Sequence, residues 1–154
     1  MITPGCDEIV KLAAEYSTIP LCREIYADMT TPIALLRRLL ALSKRVFLLE
    51  SVEGGEKLAR YSFLGYVPIL RATCKNGTVT LEGVQNRTVQ TDKPLDVLRE
   101  VLAGYRAPRI EGLPPFTGGF VGYFAYAMLG YAEPRLSIKR GDWDDFDLLL
   151  FDKV

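Results

Sequence analysis

The sequence predicts an α+β fold in which a mostly antiparallel sheet packs with three or four helices. Three observations predict it. Apolar residues recur at helical spacing in three stretches: Ile9, Leu12, Ala13 and Tyr16; Ile33, Leu36, Leu39 and Leu40; and Leu95, Leu98, Val101 and Leu102. Between and after them lie apolar runs of strand length, at residues 46–50, 61–67, 70–75 and 146–154. Asn76-Gly77 separates residues 70–75 from 78–81, and that dipeptide accommodates the positive φ angles of the type I′ turn that joins neighbouring antiparallel strands.

In chain order, Thr3-Pro4 has the form of an N-cap followed by proline at the first helical position, so the first helix is expected to run to about Tyr16. Residues 19–26 read as a strand. Thr31-Pro32 repeats the helix-start signal, and the stripe of Ile33, Leu36, Leu39 and Leu40 behind it reads as core, with Arg37 and Arg38 off it. Residues 46–50 and 61–67 form two further strands, joined by a short polar link at 52–59 that contains glycine. The Asn-Gly hairpin follows, then a strand at 87–91 and a helix capped by Thr91 or Asp92. Residues 104–115 carry three prolines and two glycines and read as an irregular connection. The apolar and aromatic run 116–126 leads into a short helix near 125–131. The acidic stretch 142–147 reads as a solvated loop, and 146–154 as a last strand ending without turn residues or a polar tail. A strand left with an unpaired apolar edge invites aggregation, so that ending is expected to mark the chain as a truncated part of a larger two-part fold.

A chain of 154 residues fits one domain, 1–154, with a sizeable core, and 49% hydrophobic residues exclude disorder. Lysine plus arginine balance aspartate plus glutamate at 19 each, with no basic run, so nucleic acid is not expected as a partner. The apolar stretches fall short of a membrane span, and no secretory leader is visible at Met1-Ile2-Thr3-Pro4. Cys6, Cys22 and Cys74, odd in number and without a CxxC, read as reduced thiols of a cytoplasmic protein. There is no histidine, which removes the commonest general base and a common metal ligand.

The most informative residues are Leu48-Leu49-Glu50-Ser51 and, nine residues later, Arg60-Tyr61-Ser62-Phe63-Leu64-Gly65. Each apolar run delivers polar groups at its end: Glu50 and Ser51 from one, Arg60 and Ser62 from the other. A carboxylate, two hydroxyls and a guanidinium beside a sheet edge suit a small zwitterion, with Glu50 meeting an ammonium and Arg60 a carboxylate. The same residues also suit turn chemistry and a solvated rim. Gly118-Gly119-Phe120-Val121-Gly122-Tyr123 lacks the lysine and the spacing of a phosphate loop, and reads as small residues that let a strand bend or a backbone approach closely. Asp142, Asp144, Asp145 and Asp147 lack the spacing of a calcium loop.

The LLES and RYSFLG segments together resemble the start of the anthranilate synthase component I family, the chorismate-using subunits at the entry to tryptophan biosynthesis. PLCREIYAD (residues 20–28) followed by Thr31-Pro32, and PFTGGFVGYFAY (residues 115–126), resemble further family segments in the same order. The resemblance runs from about Thr3 to Val154 and covers only the family's N-terminal part. It implies that Ser51, Leu58, Ala59, Arg60 and Tyr61, with Glu50 adjacent, form half of the site at which L-tryptophan acts as feedback inhibitor. It also implies that magnesium, chorismate and the acid–base chemistry belong to a C-terminal catalytic part, that a glutamine amidotransferase subunit supplies ammonia, and that this chain, inactive alone, has no catalytic residue. Ala127 stands where many relatives place an aspartate. Two alternatives remain: the matching domain of aminodeoxychorismate synthase component I, from folate synthesis, and a scaffold or interaction domain without a ligand.

Overall fold

The computed structural model describes residues 2–50, 61–139 and 141–154. The fold is α+β, and its core lies in one sheet. Strands β5 (Leu70–Lys75), β6 (Thr78–Gly83), β7 (Arg87–Gln90), β8 (Gly119–Phe124) and β9 (Phe146–Phe151) form an antiparallel sheet in the order β7-β6-β5-β9-β8. The β5–β6 turn is built as its sequence requires: Asn76 and Gly77 both take positive φ, 50° and 79°. Alternation along β5 buries Leu70, Ala72 and Cys74, and Val79, Leu81, Phe146, Leu148 and Leu150 line the same face of its neighbours. Helix α3 (Pro94–Ala103) covers that face. Its buried stripe is Val97, Leu98 and Val101. Leu95 and Leu102, expected inside, are exposed, because the helix faces the sheet through the row that starts at Pro94. Its cap also differs: Lys93 is the N-cap residue, and Thr91 Oγ1 accepts from the Lys93 amide instead of from the first turn.

The first third of the chain is more thinly packed. Helix α1 (Cys6–Leu12) starts from Gly5 and ends before Tyr16. Thr3 is not its cap, because it pairs with Cys22 in a two-residue ladder between β1 (Ile2–Thr3) and β2 (Cys22–Arg23). The strand expected over 19–26 shrinks to those two residues, and Tyr26 stands wholly exposed. Helix α2 (Pro32–Leu42) begins as its sequence requires, with Thr31 Oγ1 accepting from the Ala34 amide. Yet no α2 residue is buried, and Ile33 and Leu40 of the expected core stripe are 57% and 50% exposed. The helix covers only a two-stranded ribbon, β3 (Val46–Glu50) with β4 (Ser62–Tyr66), which is too narrow to shield its whole apolar surface.

Two further expectations are corrected. β9 carries no free edge, since it lies between β5 and β8. Among the described residues, the apolar edge of the five-stranded sheet is β8. Nor is the acidic stretch uniformly solvated. Asp145 is 1% exposed, and Asp147 lies within β9, where it binds Arg71 through two hydrogen bonds of 3.0 and 2.7 Å. The short helix after β8 is a 3-10 turn (Tyr126–Met128) continued by α4 (Leu129–Ala132). Among the described residues, no helix is long and apolar enough to cross a membrane.

Candidate functional site

The β3–β4 ribbon carries the two motifs. Its antiparallel register runs from Val46 opposite Tyr66 to Glu50 opposite Ser62. Glu50 is exposed at the ribbon's end, where Ser62 Oγ donates to its Oε1 at 3.1 Å. Tyr61 follows at the same end, half-buried. Side chains alternate along a strand, so Glu50 and Ser62 share one face of the ribbon, while Tyr61, Phe63, Leu49 and Phe47 share the other. The structure therefore brings Glu50 and Tyr61 to one end on opposite faces. Ser51, Leu58, Ala59 and Arg60 lie outside the described residues.

On the Tyr61 face, aromatic rings run continuously into the large sheet. Tyr61 stacks on Phe63 at 5.7 Å, and Phe63 meets Phe116 edge-on at 5.6 Å. Phe116 contacts Phe47 at 6.1 Å, and Phe47 packs on buried Phe151 of β9 at 4.8 Å. Edge-to-face and offset rings at these separations add specific attraction to the burial of their area. Gly65 makes the run possible. It lies opposite Phe47, and a Cβ there would come within 2.2 Å of the Phe47 ring. The glycine of RYSFLG thus has a packing reason, as does Phe116 of the glycine-aromatic segment. Sequence reading treated these two segments as separate features. The signal that joins them is a glycine opposite an aromatic residue once the ribbon's register is set.

The rest of the glycine-aromatic segment fits its structural reading. Gly118 and Gly119 take φ values of 143° and 141°, which side-chain-bearing residues rarely adopt. Gly122 lets β8 approach β9 so closely that a Cβ would lie 2.1 Å from the Asp147 carbonyl oxygen. Ala127 is buried.

Sequence reading missed a polar cluster behind the core. The Tyr131 hydroxyl donates to Asp145 Oδ2 at 2.6 Å, and the Cys74 thiol lies 3.7 Å from the same oxygen. Burial pushes the Cys74 thiol pKa up. Backbone bonds tie the cluster to both neighbours: Asp145 N donates to Cys74 O, and Ala125 N to Asp145 O. Lys75 Nζ then gathers the carbonyls of Gly141, Asp142 and Trp143 at 3.2, 2.6 and 2.6 Å. Lys75 and the Asp145 carboxylate therefore organise this loop, and among the described residues no group of three acidic, cysteine or histidine side chains is arranged to hold a metal ion.

No family model matches the chain. Anthranilate synthase component 1 of Acetivibrio thermocellus is 38% identical over 143 residues, covering 92% of this chain and 29% of the relative. Its namesake from Synechocystis is 36% identical over 165 aligned positions, covering 100% of this chain and 32% of the relative. The crystal structure of anthranilate synthase component I from Streptococcus pneumoniae aligns with 84% of this chain and 27% of its own length, at a TM-score of 0.46 and 24% identity. The chain thus spans 29% and 32% of the two curated relatives.

Proposed function

By its sequence this chain belongs with the anthranilate synthase component 1 proteins, of which it spans about three tenths, and from that premise we propose that it is their N-terminal regulatory and structural part, carrying half of an L-tryptophan site. The observation that carries the reading is the match itself: 36 to 38% identity over nearly the whole chain, to proteins whose names specify anthranilate synthesis. The half-site consists of Glu50, Ser51, Leu58, Ala59, Arg60 and Tyr61. Its chemistry suits an amino acid. Glu50, exposed and already oriented by the Ser62 hydroxyl, is a carboxylate for the ammonium. Arg60 is a guanidinium for the carboxylate. Tyr61 stands at the same end of the ribbon on the opposite face, stacked on Phe63, so it borders the half-site from that side.

The parent enzyme would convert chorismate, with ammonia or glutamine, to anthranilate and pyruvate in tryptophan biosynthesis. Catalysis and magnesium binding are assigned to the chain's C-terminal complement, and ammonia supply to a glutamine amidotransferase subunit. Tryptophan inhibits such an enzyme only by binding one conformation better than the other. Half a pocket meets neither conformation in full, so the chain alone should bind weakly and catalyse nothing.

The test is an NMR titration of the chain with L-tryptophan, with L-phenylalanine as control. The reading expects shifts at Glu50, Ser51, Arg60 and Tyr61 that saturate with tryptophan and are much smaller with phenylalanine. Equal shifts with both amino acids, or shifts confined to other regions, would reject the assigned half-site.

A further inference from the structure

We infer that residues 141–143 form a three-carbonyl cation site whose tethered occupant is the Lys75 ammonium, and that without it the site takes a free monovalent ion of ammonium or potassium size. The carbonyl oxygens of Gly141, Asp142 and Trp143 all accept from Lys75 Nζ, at 3.2, 2.6 and 2.6 Å. Three consecutive peptide dipoles thus aim their negative ends at one point, and positive charge there offsets their mutual repulsion. An ammonium has three N–H donors and no acceptor, so one donor meets each carbonyl.

Bonds that do not involve the ammonium bring these carbonyls to Lys75. Lys75 ends β5 and, with Arg71 and Thr73, lies on the face opposite Leu70, Ala72 and Cys74. One residue earlier, Cys74 O accepts from Asp145 N at 2.6 Å, and Asp145 O accepts from Ala125 N at 2.8 Å. The Tyr131 hydroxyl holds the Asp145 side chain. From that anchor, residues 141–143 are led back over the end of β5. Removing the ammonium therefore lets the carbonyls spread locally without releasing the loop, and a free cation can draw them together again. Asp142 and Asp144 on the same loop add negative potential, while Arg71, on the same face as Lys75, is taken up by Asp147 at 2.7 Å.

The distances select the ion. Contacts of 2.6 to 3.2 Å suit ammonium and potassium, which are nearly equal in radius. They are too long for magnesium, which needs about 2.0–2.1 Å, and the oxygens are too few for calcium, which takes about 6–8. Backbone carbonyls replace the hydration shell of potassium in the same way in selective channels. What the occupant holds is Trp143, the only tryptophan of the chain, 77% exposed and edge-on to Tyr123 at 6.4 Å. The cation thereby sets where an exposed indole stands on the sheet.

NMR of the 154-residue chain tests the inference, read at the amides of residues 142–144 and at the single indole N–H, that of Trp143. In the wild type, the Lys75 ammonium should exchange with water about tenfold or more slower than that of exposed Lys93, and the loop signals should ignore the choice of salt. Lys75→Ala opens the site. In tetramethylammonium chloride, whose cation is too large, its loop signals should depart from those of the wild type. Potassium or ammonium chloride at the same ionic strength should return them saturably, with lithium chloride about tenfold less effective. Lys75→Met removes the ammonium but leaves a methyl group crowding the same space, so no salt should restore its loop. An ammonium that exchanges as fast as that of Lys93 would overturn the inference. So would Lys75→Ala signals that stay wild-type without potassium, that respond equally to all four salts, or that calcium restores at lower concentration than potassium. If Lys75→Ala does not fold, Lys75→Thr, better suited to a strand, carries the salt series instead, and the wild-type exchange rate stands by itself.

Discussion

Replacing Gly122 with alanine should destabilise the chain by about 3 kcal/mol, by forcing β8 away from β9. The built Cβ lies 2.1 Å from Asp147 O, 2.9 Å from Leu148 Cα and 3.0 Å from Asp147 C, whereas ordinary contact begins at 3.4 Å. The obstacle is backbone of an interior strand, so no rotamer change relieves it. Moving β8 outward by the missing ångström or so stretches its ladder bonds beyond hydrogen-bonding range. Overpacking costs about 1–3 kcal/mol, and each weakened hydrogen bond adds about 0.5–1.5 kcal/mol, which places the substitution at the upper end of the overpacking range. Two other glycines separate the causes. Gly112 has φ +85° but nothing within 4 Å of a built Cβ, so Gly112→Ala isolates the conformational cost, about 1–2 kcal/mol. Gly141 has neither feature, and Gly141→Ala should stay within about 0.5 kcal/mol of wild type. Urea denaturation of the three variants beside the wild type gives the comparison. In a domain of this size, 3 kcal/mol corresponds to roughly 6–12 °C in Tm. A Gly122→Ala variant as stable as Gly141→Ala would refute the close approach.

Two further outcomes follow from groups outside the ribbon. A disulfide reagent should titrate exposed Cys6 first and half-buried Cys22 next, while Cys74 reacts only on unfolding, because burial raises its pKa and excludes the reagent; a Cys74 that reacts as fast as Cys6 would contradict its place in the core. The Arg87–Glu100 pair, bonded at 3.0 and 2.9 Å, lowers the Glu100 pKa from its ordinary 4.5, chiefly through the Arg87 hydrogen bonds. A depressed carboxylate pKa gives stability that is present above the unfolded-state pKa and lost as pH falls through the folded one. Glu100→Gln should therefore lower stability slightly at neutral pH, where an exposed pair contributes little, and leave it unchanged well below about pH 4.5, so that the acid limb flattens by that same small amount. An unchanged acid limb would show that the pair is not formed in solution.

The sequence was most legible where a local rule and the tertiary setting agree. Asn76-Gly77 needs two positive φ angles, and only a tight hairpin uses both. Thr31-Pro32 offers a hydroxyl and a preset φ, and the helix starts there. Thr3-Pro4 offers the same two signals, but Thr3 is taken by its pairing with Cys22, so the helix waits for Gly5. A local motif has no access to that competition. The apolar stripe of α2 was correctly periodic, yet periodicity does not reveal the width of the surface it meets. Asp145 was hidden by its acidic neighbours: only the folded chain shows that it sits against Tyr131 and Cys74, which lie far from it in one case and near in the other. For the candidate site, Glu50 and Tyr61 were legible as neighbours through the motifs, but their opposite faces follow only from the register.

That register also separates two roles within one short ribbon. The face bearing Glu50 and Ser62 is polar at its exposed end, and α2, which packs against the ribbon, has no buried residue. The Tyr61 face is anchored, ring by ring, to Phe151 at the end of β9, and Phe151 pairs with Gly119 at the start of β8. Local stability follows buried contacts, so the polar face can adjust to a ligand at low cost while the aromatic face holds the ribbon on the sheet. A ligand bound at the ribbon's end would thus act on a thinly buried part of the fold while resting on a path of contacts that leads to the start of β8. Contact alone does not establish coupling. What the rings from Tyr61 through Phe63, Phe116 and Phe47 supply is a continuous packed connection between the motif end of the ribbon and the sheet.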